Sequence, residues 1–512
     1  MAALLSRSRA PGVYVEWLDA NPQALDLART DVAGFIGIAE RGPLHEACKV
    51  ESMRQFVTTF GAHIAQGYLA YAVEGFFANG GRTCWVVRVA DPAKAKRARI
   101  ALRLPDGKAI ALEATSDGCW GNSVRIAPIW ERDAVIGLSA TAEGRPPQVL
   151  AFDAMPTLAQ ETLVRRIEPS ADEPLEVLGA GIDLAGGDDG IVSLRPAHFS
   201  GDASNDPDNK RVWGMDALSR IDGISFVAAP DLVGAPVPGF KPEIVRDAQI
   251  ALLARCLEQR DRIALLDLPR TNQTQAMRYV APGSPTQTAL PRTSYAAVYH
   301  PWVMVDDALR IDGNVRVIPP SGHVAGMLAR TDRRRGVHKA PANEVLEGVW
   351  DLQEAIDDDA HARLNDAHIN AIRAIPGRGI RVLGARTLDD DPSWRYIGVR
   401  RLFAMIGEAL DEQMQWLAFE PDSPRLWRDI DRAVRGFLER LYRAGMLDGA
   451  TPEEAYFVRC DATTNPREQT DAGRVMCELG LRPPRPAEFV IVRIGVTRDN
   501  GVRIEAQGAQ DV

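Results

Sequence analysis

Ser321 and His323 come closest in this chain to a nucleophile beside its base, within Ser321-Gly322-His323-Val324-Ala325-Gly326. A hydroxyl can attack a carbonyl once an imidazole takes its proton, but the imidazole needs a third group to orient it. No carboxylate stands at a recognisable spacing. Gly322, Ala325, Gly326 and Ala329 fit a helix packed close to a neighbour better than a catalytic turn. Gly186-Gly187-Asp188-Asp189-Gly190 offers adjacent carboxylates to a hard cation, yet the rest of a calcium loop is missing, and Asp and Gly are common turn formers. Two glycine-rich stretches, Gly179-Ala180-Gly181 and Gly377-Arg378-Gly379, carry Leu184 and Val382 where a dinucleotide loop needs its third glycine. No phosphate-loop lysine, zinc-binding histidine pair or serine elbow occurs. The expectation is no catalytic residue, no metal site and no cofactor.

The charged residues point to surfaces instead. Arg333-Arg334-Arg335, with Arg330 and Lys339 nearby, is the densest basic run. It reads first as a solvated loop, and otherwise as an ion-paired contact with an acidic partner. Overall, 60 Lys and Arg face 69 Asp and Glu, and the net charge of −9 is spread along the chain, which argues against a general nucleic-acid surface. The apolar stretch Ala2 to Leu5 is too short for a signal-peptide core, and no run approaches the roughly 18 apolar residues of a membrane span. Cytoplasmic synthesis and no membrane insertion are therefore expected. The six cysteines, Cys48, Cys84, Cys119, Cys256, Cys460 and Cys477, show no metal or redox spacing and read as reduced, mostly buried thiols.

The elements that must position these residues belong to a mixed α/β, α+β chain of several domains, as 512 residues exceed a single core. Val13-Tyr14-Val15-Glu16-Trp17 alternates as a strand with no neighbour in sequence, so residues 1–25 look like an arm. A strand from Val32, a helix opened by a Ser52–Gln55 capping box, a helix near Tyr68 to Ala78 and a strand from Thr83 start an α/β layer over residues 26–90. Short strands such as Ile100 to Leu104 and Ala109 to Ala114 mark an inserted, mostly β domain over residues 91–190. The α/β layer resumes over 191–388, with Arg262 to Leu268 as a buried strand. Residues 389–486 are chiefly helical: one stripe holds Phe403, Ile406, Leu410, Met414 and Leu417. A second helix starts at Ser423 and Pro424, buries Leu426, Ile430, Val434, Phe437 and Leu441, and stops at Gly445. Phe489 to Ile494 reads as a strand without a nearby partner, inside a terminal arm of residues 487–512.

In order along the chain, several blocks resemble the sheath proteins of contractile phage tails, tailocins and related injection systems. They are Pro11-Gly12-Val13-Tyr14-Val15-Glu16, Gly75-Phe76-Phe77 through Trp85-Val86-Val87-Arg88-Val89, Trp120-Gly121-Asn122, Gly186 to Gly190 and Ala228-Ala229-Pro230-Asp231. Ile318-Pro319-Pro320-Ser321-Gly322, Lys339 to Asn343, Phe419-Glu420-Pro421, Glu453 to Asp461 and Pro486 to Val490 follow. The continuation past Thr497, with a short strand at Val502-Arg503-Ile504, departs from the family pattern. The resemblance implies a discontinuous α/β domain with a β insert, a C-terminal α/β domain and extended terminal strands that add to neighbouring subunits. Val13, Tyr14, Val15, Trp17, Phe489, Val490, Ile491, Val492 and Ile494 would be those donated strands. It also implies a helical homopolymer around an inner tube, contacting baseplate, cap and sister sheath proteins, in an injection particle or a phage virion. A helix of the C-terminal domain would face the tube, with Arg425, Arg428, Arg432 and Arg435 as candidates, although i to i+4 pairing with Asp429 and Asp431 explains them equally well. Arg333, Arg334 and Arg335 become candidates for contacts between subunits. An α/β enzyme with its site at a sheet switch point is the remote alternative.

Overall fold

The computed structural model describes residues 25–104, 107–131, 134–151, 163–170, 174–177, 181–201, 213–234, 240–281, 289–310, 313–415, 420–471, 474–486, 490–497 and 501–508. Two compact units divide the chain, one built on Ala28–Glu408 and one on Ala409–Pro483.

In the larger unit the main elements are β1 (Val32–Gly37), β2 (Ala47–Val50), α1 (Met53–Phe60), α2 (Leu69–Ala78), β3 (Thr83–Arg88), β4 (Phe226–Ala228), α3 (Pro242–Gln259), β5 (Ile263–Asp267) and β6 (Ala296–His300). They continue with α4 (Ser321–Arg335), β7 (Glu344–Val345), β8 (Ile369–Ile375), β9 (Gly379–Val382) and most of α5 (Ile397–Gln413), whose residues from Ala409 on are assigned to the smaller unit. One nine-stranded sheet runs β7-β9-β8-β6-β5-β4-β1-β3-β2. Its centre is parallel and its margins antiparallel. Burial on both faces explains why β1 and β5 are buried at every position and read as continuous apolar runs. One face is covered by α3 through Val245, Leu252, Leu253 and Cys256; the other by α2 and α4 through Tyr71, Phe76, Val324 and Leu328.

Between β3 and β4 the chain builds two four-stranded sheets around Ile100, Leu112, Ile126 and Leu138. Two of the sequence blocks meet where this insert joins the main sheet. The Asn122 amide exchanges bonds with both backbone groups of Gly187, at 2.8 and 3.0 Å, and Asp189 accepts the Cys119 N–H at 2.9 Å. Arg88, at the end of β3 and 1% exposed, donates to the carbonyls of Gly42 and Asp117 and lies 3.8 Å from Asp189. The Gly186–Gly190 segment is thus a turn whose carboxylates are engaged by protein groups.

Three local details differ from the sequence expectations. Gln55 accepts from Glu51 N–H rather than from Ser52, so the capping box reaches one residue further back, while Ser52 does cap Gln55 N–H. Helix α5 ends at Gln413, short of Met414, and its buried line is Leu402, Met405, Ile406 and Ala409, with Phe403 and Leu410 only half-buried. Cys119 is exposed rather than buried.

Candidate functional site

The smaller unit carries α6 (Pro424–Arg443) and an antiparallel pair, β10 (Tyr456–Arg459) with β11 (Glu478–Leu481). Helix α6 starts where Ser423 Oγ accepts the Leu426 N–H at 3.3 Å with Pro424 in its first turn, and Gly445 follows its end at φ +71°. Its five expected apolar positions are all buried, joined by Leu438. At roughly 1.5 to 3 kcal/mol for each large side chain, burial of this stripe is a main source of the unit's stability, beside Leu447, Tyr456 and Val458.

The opposite, basic face of α6 and the edge of β10 border an open groove of about 940 Å³, lined by Arg428, Arg432, Arg435, Arg443, Phe457 and Arg459 among others. Most of these arginines already have acidic partners on their own helix. Arg425 and Arg432 lie 4.0 and 3.4 Å from Asp429, Arg435 bonds Asp431 at 3.1 and 3.2 Å, and Arg443 bonds Glu439 at 2.8 Å. Arg435 also donates to the Val458 carbonyl at 3.0 Å, capping an outward backbone group of β10. Arg428 is exposed on the same face. Among the described residues β10 and β11 form a sheet of two strands with both outer edges unpaired by a further strand. The block Glu453 to Asp461 holds a strand that sequence patterning missed, and the alternation of buried Tyr456 and Val458 with exposed Phe457 and Arg459 is the signal for it.

The basic run ends α4. Arg330 is buried and donates to the carbonyls of Asn79 and Val345, and Arg333 reaches the Gly80 carbonyl, so both tie the end of α2. Arg334 and Arg335 are exposed. His323 lies inside the α2–α4 contact, 3% exposed, where burial pushes its imidazole down to about 4. Its ring occupies the space a side chain at Gly75 would need, leaving no room for a substrate. Of the donated-strand candidates, Val13, Tyr14, Val15, Trp17 and Phe489 lie outside the described residues. Val490 to Ile494 belong to β12 (Val490–Thr497), which pairs along its whole length with β13 (Gly501–Gly508). The expectation of a strand without a nearby partner is corrected: the residues after Thr497 supply that partner as a hairpin.

In the main sheet, chain connections diverge between β1 and β4, where an α/β enzyme would hold its ligand. Asp231, completely buried, accepts the N–H groups of Ile38 at 2.7 Å, of Tyr68 and of Leu69. Among the described residues no three His, Cys, Asp or Glu side chains cluster as metal ligands, and no helix is long and apolar enough to cross a membrane.

Residues 212–388 match the family model of the phage tail sheath protein central domain, and residues 389–497 that of the phage tail sheath C-terminal domain. A prophage major tail sheath protein of Pseudomonas aeruginosa is 26% identical over 291 residues, covering 56% of this chain and 69% of the relative. The tail sheath protein of Burkholderia phage BcepMu is 27% identical over 197 residues, 36% of this chain and 39% of its own length. In fold, the chain resembles the sheath of an extracellular contractile injection system, PVC, in its contracted state: TM-score 0.59 and 22% identity over 96% of this chain and 98% of that one. The contracted helical sheath of the anti-feeding prophage gives a TM-score of 0.58 and 23% identity over 96% of this chain and 100% of that one. With the two adjoining family models together spanning more than half of its length, the chain belongs to the contractile phage tail sheath family.

Proposed function

We propose that the chain is the structural subunit of a contractile sheath, which polymerises helically around an inner tube and shortens to drive that tube through a target membrane. The observation that carries this reading is the likeness in fold, over 96% of the chain, to sheath subunits in the contracted state. A phage-tail-like injection system is the favoured setting, with other copies of the chain, the inner tube, baseplate and cap proteins as partners. The alternative is the sheath of a phage or prophage virion, which purified particles protecting DNA from nuclease would identify. The subunit acts without catalytic residues or cofactor; the engagement of Asp231 by backbone amides at the usual α/β site supports this.

In this reading the β10–β11 pair receives extended arms from neighbouring copies. Two strands alone are marginal in water, and their open edges offer backbone groups for strand addition. Contacts of this head-to-tail kind do not close on themselves and so build a helix. The arms would act as hinges through contraction while the folded units move as bodies. Negative-stain electron microscopy of the full chain, beside a version lacking Met1 to Trp17, tests the reading. Striated hollow tubes from the first and none from the second are expected. Tubes from both would remove the amino-terminal arm as a joint. Small uniform particles from both, even with the tube protein co-expressed, would sink the sheath assignment.

A further inference from the structure

Cys460 and Cys477 sit directly across from each other at the end of the β10–β11 ladder. The last paired residues are Arg459 and Glu478, so the next step in register opposes the two cysteines. Their class of pairing follows from the ladder. The Arg482 N–H bonds the Ala455 carbonyl at 2.9 Å, marking 455 and 482 as a hydrogen-bonded pair. Alternation then makes 456 with 481, 458 with 479, and 460 with 477 non-hydrogen-bonded pairs. The outward Val458 carbonyl, taken up by Arg435, agrees. In such pairs the side chains approach most closely, with Cα atoms about 4.5 Å apart. Disulfides bridge Cα separations of about 4.4 to 6.8 Å. The two thiols are already within hydrogen-bonding reach of each other.

A neighbouring side chain holds this geometry. Asn465, 3% exposed, accepts the Met476 N–H at 2.6 Å and donates to the carbonyls of Met476 and Asp461 at 3.0 and 3.1 Å. Its amide thus bridges residues 461 and 476, the pair just beyond the cysteines, and keeps the strand ends together. Cys460 is buried on the same face as Tyr456 and Val458, while Cys477 is half-buried and more open to a reagent.

We propose that Cys460 and Cys477 form a reversible dithiol–disulfide site that staples the β10–β11 pair in an oxidising medium. The oxidant is a small-molecule disulfide. Cys477, having lost its proton, attacks one reagent sulfur and releases one small thiol, leaving a mixed disulfide. Cys460 then loses its proton, attacks Cys477 Sγ and expels the second small thiol. Two protein thiols are oxidised, one reagent disulfide is reduced, and the two protons end on the released thiols. Burial, reinforced by the neighbouring Cys460 thiol, pushes Cys477 up to about 12, and burial raises Cys460 against the opposing pull of its bonds with Cys477 and Asn465. Few thiolates exist at neutral pH, so oxidation is slow there and faster in alkali.

The site belongs to the folded subunit and does not depend on the assembly reading. The full chain is incubated with oxidised glutathione at pH 8, alkylated, cut with trypsin at Arg459, Arg467 and Arg474, and weighed. The expected result is a linked pair of peptides carrying Cys460 and Cys477, released by a reducing agent, while exposed Cys119 carries only a glutathione adduct. C460S, compared at matched folding by circular dichroism, is expected to lose the link and keep a stable adduct on Cys477. Recovery of Cys460 and Cys477 unlinked from the wild-type chain, after Cys119 is fully modified, overturns the proposal. A link from either cysteine to any other thiol overturns it as well.

Discussion

Asp267 shows how a single buried group sets a measurable property. It ends β5, where one oxygen accepts the Ser321 N–H at 3.1 Å, and burial pushes its carboxyl up to about 7 against the opposing pull of the Ser321 hydroxyl and amide. Buried Asp231, also pushed up to about 7, adds to the rise. The folded form therefore binds the proton more tightly than the unfolded chain does. Its contribution to stability is complete below about pH 4 and is lost as pH rises through about 7. Urea midpoints are expected to fall between pH 5 and pH 8, and D267N to flatten that fall by on the order of 2 kcal/mol, part of the slope remaining with Asp231. An unchanged slope in D267N would refute the assignment. Neither aspartate was legible as a buried acid. Ala228-Ala229-Pro230-Asp231 stood out as a block, but which amides the carboxylate would meet depends on residues 38, 68 and 69, far away in sequence.

Elements pack here by close backbone approach where their surfaces are small. A β-carbon at Gly322 would lie 2.3 Å from the Ala72 carbonyl oxygen, and one at Gly326 would lie 2.3 Å from that of Phe76. Backbone cannot yield as a side chain can, so G326A is expected to lower stability by about 2 kcal/mol or more, read as a drop in melting temperature, whereas L257A on the more exposed side of α3 changes little. The small-residue stripe of α4 was legible from its spacing; its partner α2 was not, because two helices separated by most of the larger unit leave no periodic mark on each other. The same limit holds for α6. Its apolar face was readable residue by residue from 426 to 441, but pairing among Arg425, Asp429, Arg432, Asp431 and Arg435 leaves the use of its basic face open to test. If that face meets the tube, charge reversal at Arg428 and Arg435 is expected to abolish co-sedimentation of sheath with tube while leaving circular dichroism intact. Unchanged co-sedimentation would assign the arginines to the helix alone.

At the scale of the whole molecule, the order of α/β layer, β insert and helical segment followed from where hydrophobic periodicity changes, since each element type imposes its own spacing on apolar residues. Which strands pair did not follow, even for neighbours in sequence, as the carboxyl-terminal hairpin shows. Gly501–Gly508 alternates Val502, Ile504 and Ala506 with Arg503, Glu505 and Gln507 and so reads as a strand, but that alternation does not say that it folds back onto Val490–Thr497. An isolated two-stranded hairpin is marginally stable in water, and strand addition across a subunit boundary would supply the third strand it needs. A chain truncated after Pro486 is therefore expected to keep the melting temperature of the full subunit, because the core strands and helices end before that point. The same truncation is expected to abolish sheath tubes under the electron microscope. Tubes of normal length from the truncated chain would show that the hairpin is not a joint of the lattice, and a large fall in melting temperature would show that it serves its own subunit instead.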